Sequence, residues 1–440
     1  MALKVAVVGA GPSGFYTAIN LLRDVEGCRV DIIEALPTPY GLIRAGVAPD
    51  HQSTKLVSRL FARAAQDPNV GYYGNVNLGG DVSLDELRSL YDAVVLATGA
   101  PLDRPSGIPG SDAAGVYGSA AFVGWYNGHP NHCDLNPDLN TSAVVIIGNG
   151  NVAIDVARVL VKTPAEMAAG DLTADAAAAI HGAPLQDVYL IGRRGPEEAK
   201  FTNKELSEMG DLSDCVPVVD PAQIATEAVG AMTDHERLLR NKNLATLRDF
   251  AARPPREAPK RVHFLFYAKP VEILTDGRVQ GVRLERTRVE DGNAVGTGEM
   301  FEIPCGVVVP AIGYRMPPLA DVPVDEAKGV VASRDGRVGN GLYAVGWAKR
   351  GPTGVIGTNK GDGETVAQQI LEDIRESGRP GGTGLERLLA ERKVHWVSFA
   401  DWQRIEAAEE AAAPPGSPRR KLTGVSDMMA IVDNADAESR

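Results

Sequence analysis

Two stretches of this sequence repeat one local plan. LKVAVVGAGPSGFYTAINLL opens as a run of strand formers, breaks at Gly9, Gly11 and Gly14, and resumes with helically spaced apolar residues at Ala18, Leu21 and Leu22. SAVVIIGNGNVAIDVARVL, about 140 residues further on, does the same with Gly148, Gly150 and Ala153. A strand, a glycine loop and a helix in that order form a cradle for a pyrophosphate. The first glycine permits a tight turn, the second lets phosphate approach the backbone, and the third small residue lets helix pack on strand. The helix N-terminus then faces the negative charge. A chain carrying this unit twice is expected to be an α/β protein holding two dinucleotides in two domains.

The residues that end the following strands separate the two ligands. RVDIIE ends in Glu34, a carboxylate suited to the two hydroxyls of an unphosphorylated ribose. After the second loop, VYLIG ends instead beside Arg193 and Arg194. An acid there would repel a ribose 2'-phosphate, whereas guanidinium groups bind it through charge-assisted, often bidentate hydrogen bonds. The second ligand is therefore expected to be NADP(H). Without a glycine loop before them, the same arginines would read as a solvated pair at a strand end. A segment containing the helical DLTADAAAAI also separates them from their loop.

A length of 440 residues exceeds what one hydrophobic core organises, and two domains are expected. The chain is 44% hydrophobic and 23% charged, an ordinary globular profile. Its formal net charge of -12 argues against general nucleic-acid binding, so an anionic partner must meet a local basic patch. Cys28, Cys133, Cys215 and Cys305 are too sparse for a disulfide framework and never approach Cys-x-x-Cys spacing, as expected in a reducing cytoplasm with no bound metal. No apolar run reaches the roughly 20 residues that span a bilayer, so no membrane association is expected. The strand beginning at Leu3 runs directly into the first glycine loop, so no signal or transit peptide is expected.

Longer blocks carry a resemblance: PTPYGLIRAGVAPDH, FVGWYNGHP, GNGNVAIDVARVL, GRRGPEEAKFTNKELSEM, PCGVVVPAIGYR, GLYAVGWAKRGPTGVIGTN and, near Trp402, VSFADW. In these blocks the chain resembles adrenodoxin reductase-type ferredoxin-NADP+ reductases, from Val5 almost to the tail. The resemblance implies a glutathione-reductase-like pair of Rossmann-like three-layer domains. It implies a discontinuous FAD-binding domain, residues 1–102 and 315–440, and an NADP-binding domain at 103–314. It implies FAD contacts at Ser13, Glu34, Leu42, Leu78, Trp347, Gly354, Val355 and Ile356, beside the loop glycines Gly9, Gly11 and Gly14. It also implies NADP contacts at Arg104, Asn149, Gly150, Asn151, Val152, Arg193, Arg194 and Glu205, with Gly354 close to the nicotinamide. The family's polar pair beside the reacting rings matches His51 and Glu208. Read alone, these two are a helix-start residue and a solvated helix charge, and Trp347 is core filling, although its glycine-rich loop fits the close approach of a planar ligand.

The implied activity moves a hydride between NADPH and FAD, then single electrons to a ferredoxin-type iron-sulfur protein. Flavin bridges two-electron and one-electron chemistry, so the protein's task is placement, and no nucleophile is required. An acidic ferredoxin needs a basic landing site. From Arg237 to Arg261 eight basic side chains face two acidic ones, and Arg240 and Arg248 are the expected docking residues. A solvated helix face followed by the proline-rich RPPREAPKR accounts for the same charges. A disulfide reductase of this fold would need a redox cysteine pair, and glutamate synthase small subunits would add cysteine clusters; neither is present. An NADPH diaphorase or quinone reductase without a ferredoxin partner, and a catalytically silent nucleotide-binding regulator, are the remaining alternatives. The tail EAAEEAAAPPGSPRRKL reads as a surface helix followed by a linker, with an end that packs loosely.

Overall fold

The computed structural model describes residues 3–254 and 256–438. The chain ends of the expected first domain, and Pro255 of the proline-rich stretch, lie outside them. Two parallel sheets organise the described residues. The first runs in the order Arg337–Gly339, Leu342–Ala344, Ala93–Leu96, Lys4–Val8, Arg29–Ile33, Val70–Tyr73, with only the outermost Arg337–Gly339 antiparallel. The second runs Val307–Pro310, Ala143–Ile147, Asp187–Ile191, Lys260–Leu265, Cys215–Val219, parallel throughout. The unbroken apolar runs AVVL, AVVII and VVVP form strands buried along their whole length, because helices or a second sheet cover both faces.

Side-chain alternation divides each sheet between two cores. Val5 and Val7 join one cluster while Ala6 and Val8 join another. In the second sheet Val144 and Ile146 face the helical side. Ala143, Val145 and Ile147 face a three-stranded antiparallel sheet, Ala268–Thr275, Val279–Glu290 and Asn293–Pro304, that forms the third layer. The strand order reverses at Lys4–Val8 in one sheet and at Ala143–Ile147 in the other, and each glycine loop follows that strand, where open α/β sheets leave a crevice for ligand.

The chain passes between the sheets twice, and the passages are hydrogen-bonded to each other. Leu102–Asp103 pairs antiparallel with Tyr314–Arg315. The Asp103 carboxylate also accepts the Ala120 amide at 2.8 Å at the start of helix Ser119–Asn127. The N- and C-terminal portions join where helix Thr358–Asp373 crosses Pro12–Asp24. A Cβ on Gly363 would come within 2.8 Å of the Thr17 amide, so only glycine allows this approach. Helices Pro164–Met167 and Ala174–Gly182 account for the long separation between the second glycine loop and Arg193.

The tail departs from expectation. Helix Phe399–Ala411 starts with a capping box from Ser398 and Asp401 and fully buries Trp402. The segment beyond it does not hang free. The Lys421 ammonium is buried and donates to the carbonyls of Arg44 and Asn127, both at 3.0 Å. Helix Val425–Glu438 then inserts Met428 and Val432, four positions apart on one face, into the core of the first sheet. That apolar pair gives the terminal helix a face to bury, and the charged linker before it supplies a buried cation.

Candidate functional site

The first glycine loop has three glycines in three different situations. A Cβ on Gly9, whose φ is +113°, would lie 2.4 Å from the Ala97 carbonyl oxygen, and one on Gly14 would lie 2.0 Å from that of Gly9. Gly11 faces nothing within 4 Å. Gly9 and Gly14 are thus required by the fold, while Gly11 opens on space of the kind a phosphate group would use. Two further glycines line this space: a Cβ on Gly41 (φ +48°) would reach the Gly11 Cα at 3.1 Å, and one on Gly346 (φ +64°) would reach the Ser13 hydroxyl at 2.6 Å. Glu34 lies beside the loop, its carboxylate accepting the amides of Ala10 at 2.7 Å and Leu36 at 3.1 Å. Burial raises this carboxyl above the usual range and the backbone amides partly oppose the rise. Both carboxylate oxygens keep further lone pairs for ribose hydroxyls.

Residues 354–359, from the returning part of the chain, stand against the same cradle. Buried Asn359 lies 3.2 Å from where a Gly346 Cβ would be, and it donates to the Ile356 carbonyl at 3.0 Å. Val355 is 60% exposed and Leu42, at the start of helix Leu42–Ala45, is 43% exposed. Such apolar surface beside a glycine-lined cleft fits a planar apolar ligand. Trp347 is half-buried, 5.9 Å from the Tyr314 ring, and its indole N–H donates to the Thr353 carbonyl. Gly354 adopts φ +81°. Leu78 is partly buried against the core on the other face of the sheet.

The second loop repeats the arrangement. A Cβ on Gly148 would meet the Ala311 carbonyl oxygen at 2.4 Å, Gly150 faces nothing within 4 Å, and Ala153 is fully buried. Val152 packs beside that core. The loop is tied to the arginine-bearing segment at two points. The Asn149 side chain fills the space of a Gly192 Cβ, and Asn151 Oδ1 accepts the Thr202 amide at 2.7 Å. Arg193 is exposed, and among the described residues its guanidinium has no hydrogen-bond or ion-pair partner; Arg194 donates to the Gly292 carbonyl at 3.3 Å. Glu205 carries a buried carboxylate oxygen, Oε2, without a hydrogen-bond partner. An open central glycine, a free arginine and an orphaned polar atom fit an NADP-type ligand. The Arg104 guanidinium donates to the carbonyls of Tyr314, at 3.1 Å, and Lys328, at the passage between the sheets.

His51 and Glu208 are brought together. His51 precedes the short helix Gln52–Lys55, Glu208 ends helix Asn203–Glu208, and His51 Nε2 lies 2.7 Å from Glu208 Oε2. Sequence reasoning missed what surrounds them. Arg158, fully buried in helix Asn151–Val161, donates to both oxygens of Asp50, at 2.8 and 3.1 Å, and lies 3.6 Å from Glu208 Oε2. Lys162 reaches Asp50 at 2.7 Å. Asp155 lies 2.7 Å from Arg158 Nη1 but is misaligned, an ion pair without a directed hydrogen bond. Burial works to raise the Asp50 carboxyl, yet Arg158 and Lys162 override it and hold it well below the usual range. Burial raises the Asp155 carboxyl, against the opposing charge of Arg158. A cavity of about 340 Å3 opens beside the pair, lined in part by Lys162, Glu166 and Asp211. The available signal was an Asp155–Arg158 pair inside the otherwise apolar helix AIDVARVLV.

Two sheets with matching glycine loops define a class, the two-dinucleotide oxidoreductases, and the family model described as pyridine nucleotide-disulphide oxidoreductase matches residues 3–209. Within that class, the chain is 41% identical to the mitochondrial NADPH:adrenodoxin oxidoreductase of Arabidopsis thaliana, over 98% of this chain and 96% of that protein. It is 39% identical to the NADPH-ferredoxin reductase FprA of Mycobacterium leprae, over 97% and 98%. The solved structure of Mycobacterium tuberculosis FprA in complex with NADPH superposes with a TM-score of 0.92 at 38% identity, covering 98% of this chain and 99% of that one. The chain belongs to the adrenodoxin reductase-type NADPH-ferredoxin reductase family. Its four cysteines, Cys28, Cys133, Cys215 and Cys305, are all free.

Proposed function

We propose that the protein is an FAD-dependent NADPH:ferredoxin oxidoreductase whose partner is a ferredoxin-type iron-sulfur protein. The observation that carries this reading is the contrast between two otherwise matching cradles, one beside Glu34 and the other beside Arg193 and Arg194. Bound FAD supplies the conversion between a hydride and single electrons. The FAD-binding part comprises residues 1–102 and 315–440, and residues 103–314 bind NADP(H). Gly11 and Gly150 admit the two pyrophosphates, Glu34 the unphosphorylated ribose, and Arg193 with Arg194 the 2'-phosphate. Glu205 Oε2 takes a hydrogen bond from the nicotinamide nucleotide, and Arg104 contacts the same nucleotide from the passage between the sheets. The loop from Trp347 through Gly354, Val355 and Ile356 excludes water from the reacting rings, with Leu42 on the flavin side and Leu78 a further FAD contact. His51 Nε2 and Glu208 orient the nicotinamide and hold a proton-carrying water.

The docking surface for an acidic ferredoxin lies on helix Asp234–Ala252. Arg237, Lys242 and half-buried Arg240 stand beside Leu238 and Leu239, which are 54% and 45% exposed, a basic and apolar combination suited to an acidic partner. Arg248 contributes charge but less reach, since its guanidinium is tied to the carbonyls of Ala225 and Thr226 at 3.0 and 2.5 Å. Among the described residues no helix is long and apolar enough to cross a membrane. The free cysteines accord with work in the cytoplasm.

Ferredoxin-dependent cytochrome c reduction, compared with NADPH and NADH, tests the reading. Activity that requires ferredoxin and prefers NADPH is the expected result. Rapid quinone reduction with cytochrome c untouched would establish a diaphorase instead, and flavin that fails to bleach under anaerobic NADPH a silent regulator. His51→Ala is expected to slow flavin reduction more than about threefold; a smaller effect removes His51 from the site.

A further inference from the structure

Helix Asn151–Val161 starts at the second glycine loop and is apolar except for one stripe. Asn151, Asp155, Arg158 and Lys162, the last just past the helix end, are spaced so that they fall on one side of it. Between them they reach Thr202, Glu208 and Asp50. Asn151 holds the Thr202 amide, immediately before the helix that carries Glu208. Arg158 meets Glu208 at 3.6 Å and clasps Asp50, the neighbour of His51, through two hydrogen bonds. Lys162 adds a third bond to Asp50.

We propose that Arg158 is a positioning residue for hydride transfer, holding the His51–Glu208 pair in a fixed place relative to the second glycine loop. One planar guanidinium addresses both members of the pair, one through Asp50 and the other directly. A fully buried arginine is costly to desolvate, and apolar packing of equal volume would serve stability as well or better. What apolar packing cannot supply is the fixed fork geometry that sets a carboxylate's orientation. The stripe makes the loop, the Glu208 helix and the loop ending at His51 move as one body, so a nucleotide seated at Gly150 meets the pair in a single register. Asp50, Asp155 and Glu208 supply the negative charge that faces the guanidinium.

The inference rests on the proposed role of the pair. It is tested with Arg158→Met and Arg158→Lys holoenzyme, each made alone and with His51→Ala. Anaerobic flavin reduction, NADPH affinity and amide hydrogen exchange across residues 46–52 are compared. Arg158→Met is expected to slow flavin reduction at saturating NADPH at least about tenfold while changing NADPH affinity less than about threefold, and Arg158→Lys to restore part of the rate. Exchange across 46–52 rises in Arg158→Met, a readout independent of turnover. In the His51→Ala background the Arg158 substitution adds less than about twofold, because its effect passes through the pair. An unchanged rate, an effect of equal size in both backgrounds, or unchanged exchange overturns the inference. If Arg158→Met does not fold, Asp50→Asn removes the clasped charge at nearly constant volume and carries the same expectations. A fast His51→Ala enzyme overturns both the reading of the pair and this inference; a slow His51→Ala beside a fast Arg158→Met overturns the inference alone.

Discussion

The carbonyl oxygen of Gly9 occupies the place where a Gly14 side chain would begin, 2.0 Å from an ideal Cβ. A Cβ on Gly11, between them, would meet no other described residue within 4 Å apart from its chain neighbours. Neighbouring glycines of one motif therefore answer to different constraints, one set by the fold and one left to a ligand.

Alanine substitutions should separate these constraints. Gly14→Ala is expected to lower the melting temperature of the flavin-free protein, because backbone must shift to admit the methyl group. Gly11→Ala and Gly150→Ala leave that melting temperature unchanged, while the first loses flavin per chain and the second loses NADPH affinity. Absorbance spectra and calorimetry distinguish the outcomes. A flavin-replete Gly11→Ala protein would place the pyrophosphate elsewhere.

Arg193 and Arg194 should set coenzyme preference. Each charge-assisted hydrogen bond to the 2'-phosphate contributes about 1.5 to 3 kcal/mol, so Arg193→Ala is expected to cost about tenfold or more in kcat/KM for NADPH. The value for NADH stays nearly constant, and the double variant approaches equal use of both coenzymes. Parallel loss with NADPH and NADH would instead mark the arginines as structural supports for their loop.

Lys421 should matter more to stability than any exposed pair. Its Nζ lies 3.3 Å from Asp171 Oδ2, and Lys55 reaches the other oxygen of that carboxylate at 2.6 Å. Lys421→Met leaves two buried carbonyls unsatisfied and an acid half-neutralised, and should cost about 3 to 5 kcal/mol. Breaking the exposed Arg288–Glu290 pair should cost under about 1 kcal/mol. Chemical denaturation of both variants provides the comparison.

Glu409 should confer pH-dependent stability. Burial tends to raise its carboxyl, but the Arg44 guanidinium, at 2.5 and 2.8 Å, overrides burial and lowers it below the usual range. A carboxyl depressed in the folded state stabilises above its unfolded value, near about 4.3, and loses that contribution as pH falls through the folded value. Glu409→Gln is thus expected to be less stable than the parent at pH 7, with the gap closing below about pH 4. A gap independent of pH between 7 and 3 would contradict the ion pair.

Much of this architecture is legible in the sequence. The two glycine loops follow their apolar strands where the motifs indicated, and Glu34 stands beside the first loop. The tail was misread because its charges look like solvated linker, and nothing nearby announces that Lys421 turns inward. Family likeness implies a nucleotide contact for Arg104, and the structure adds that its guanidinium also donates to the Tyr314 carbonyl at the passage between the sheets. Arg248, exposed as a docking residue would be, also donates to the Ala225 carbonyl of its neighbouring loop.

The chain's order of residues determined the duplicated cradles and the sign of charge beside each. These are local patterns, in which strand, turn and helix preferences act over a few residues and leave direct traces in residue type and spacing. Only the tertiary structure decided that Glu208 meets His51 across 157 positions, Arg158 meets Asp50 across 108, and Lys421 reaches Arg44 across 377. A buried charge takes whichever partner the packing of distant segments delivers. That delivery depends on the whole arrangement of sheets and helices, and no single stretch of residues encodes it.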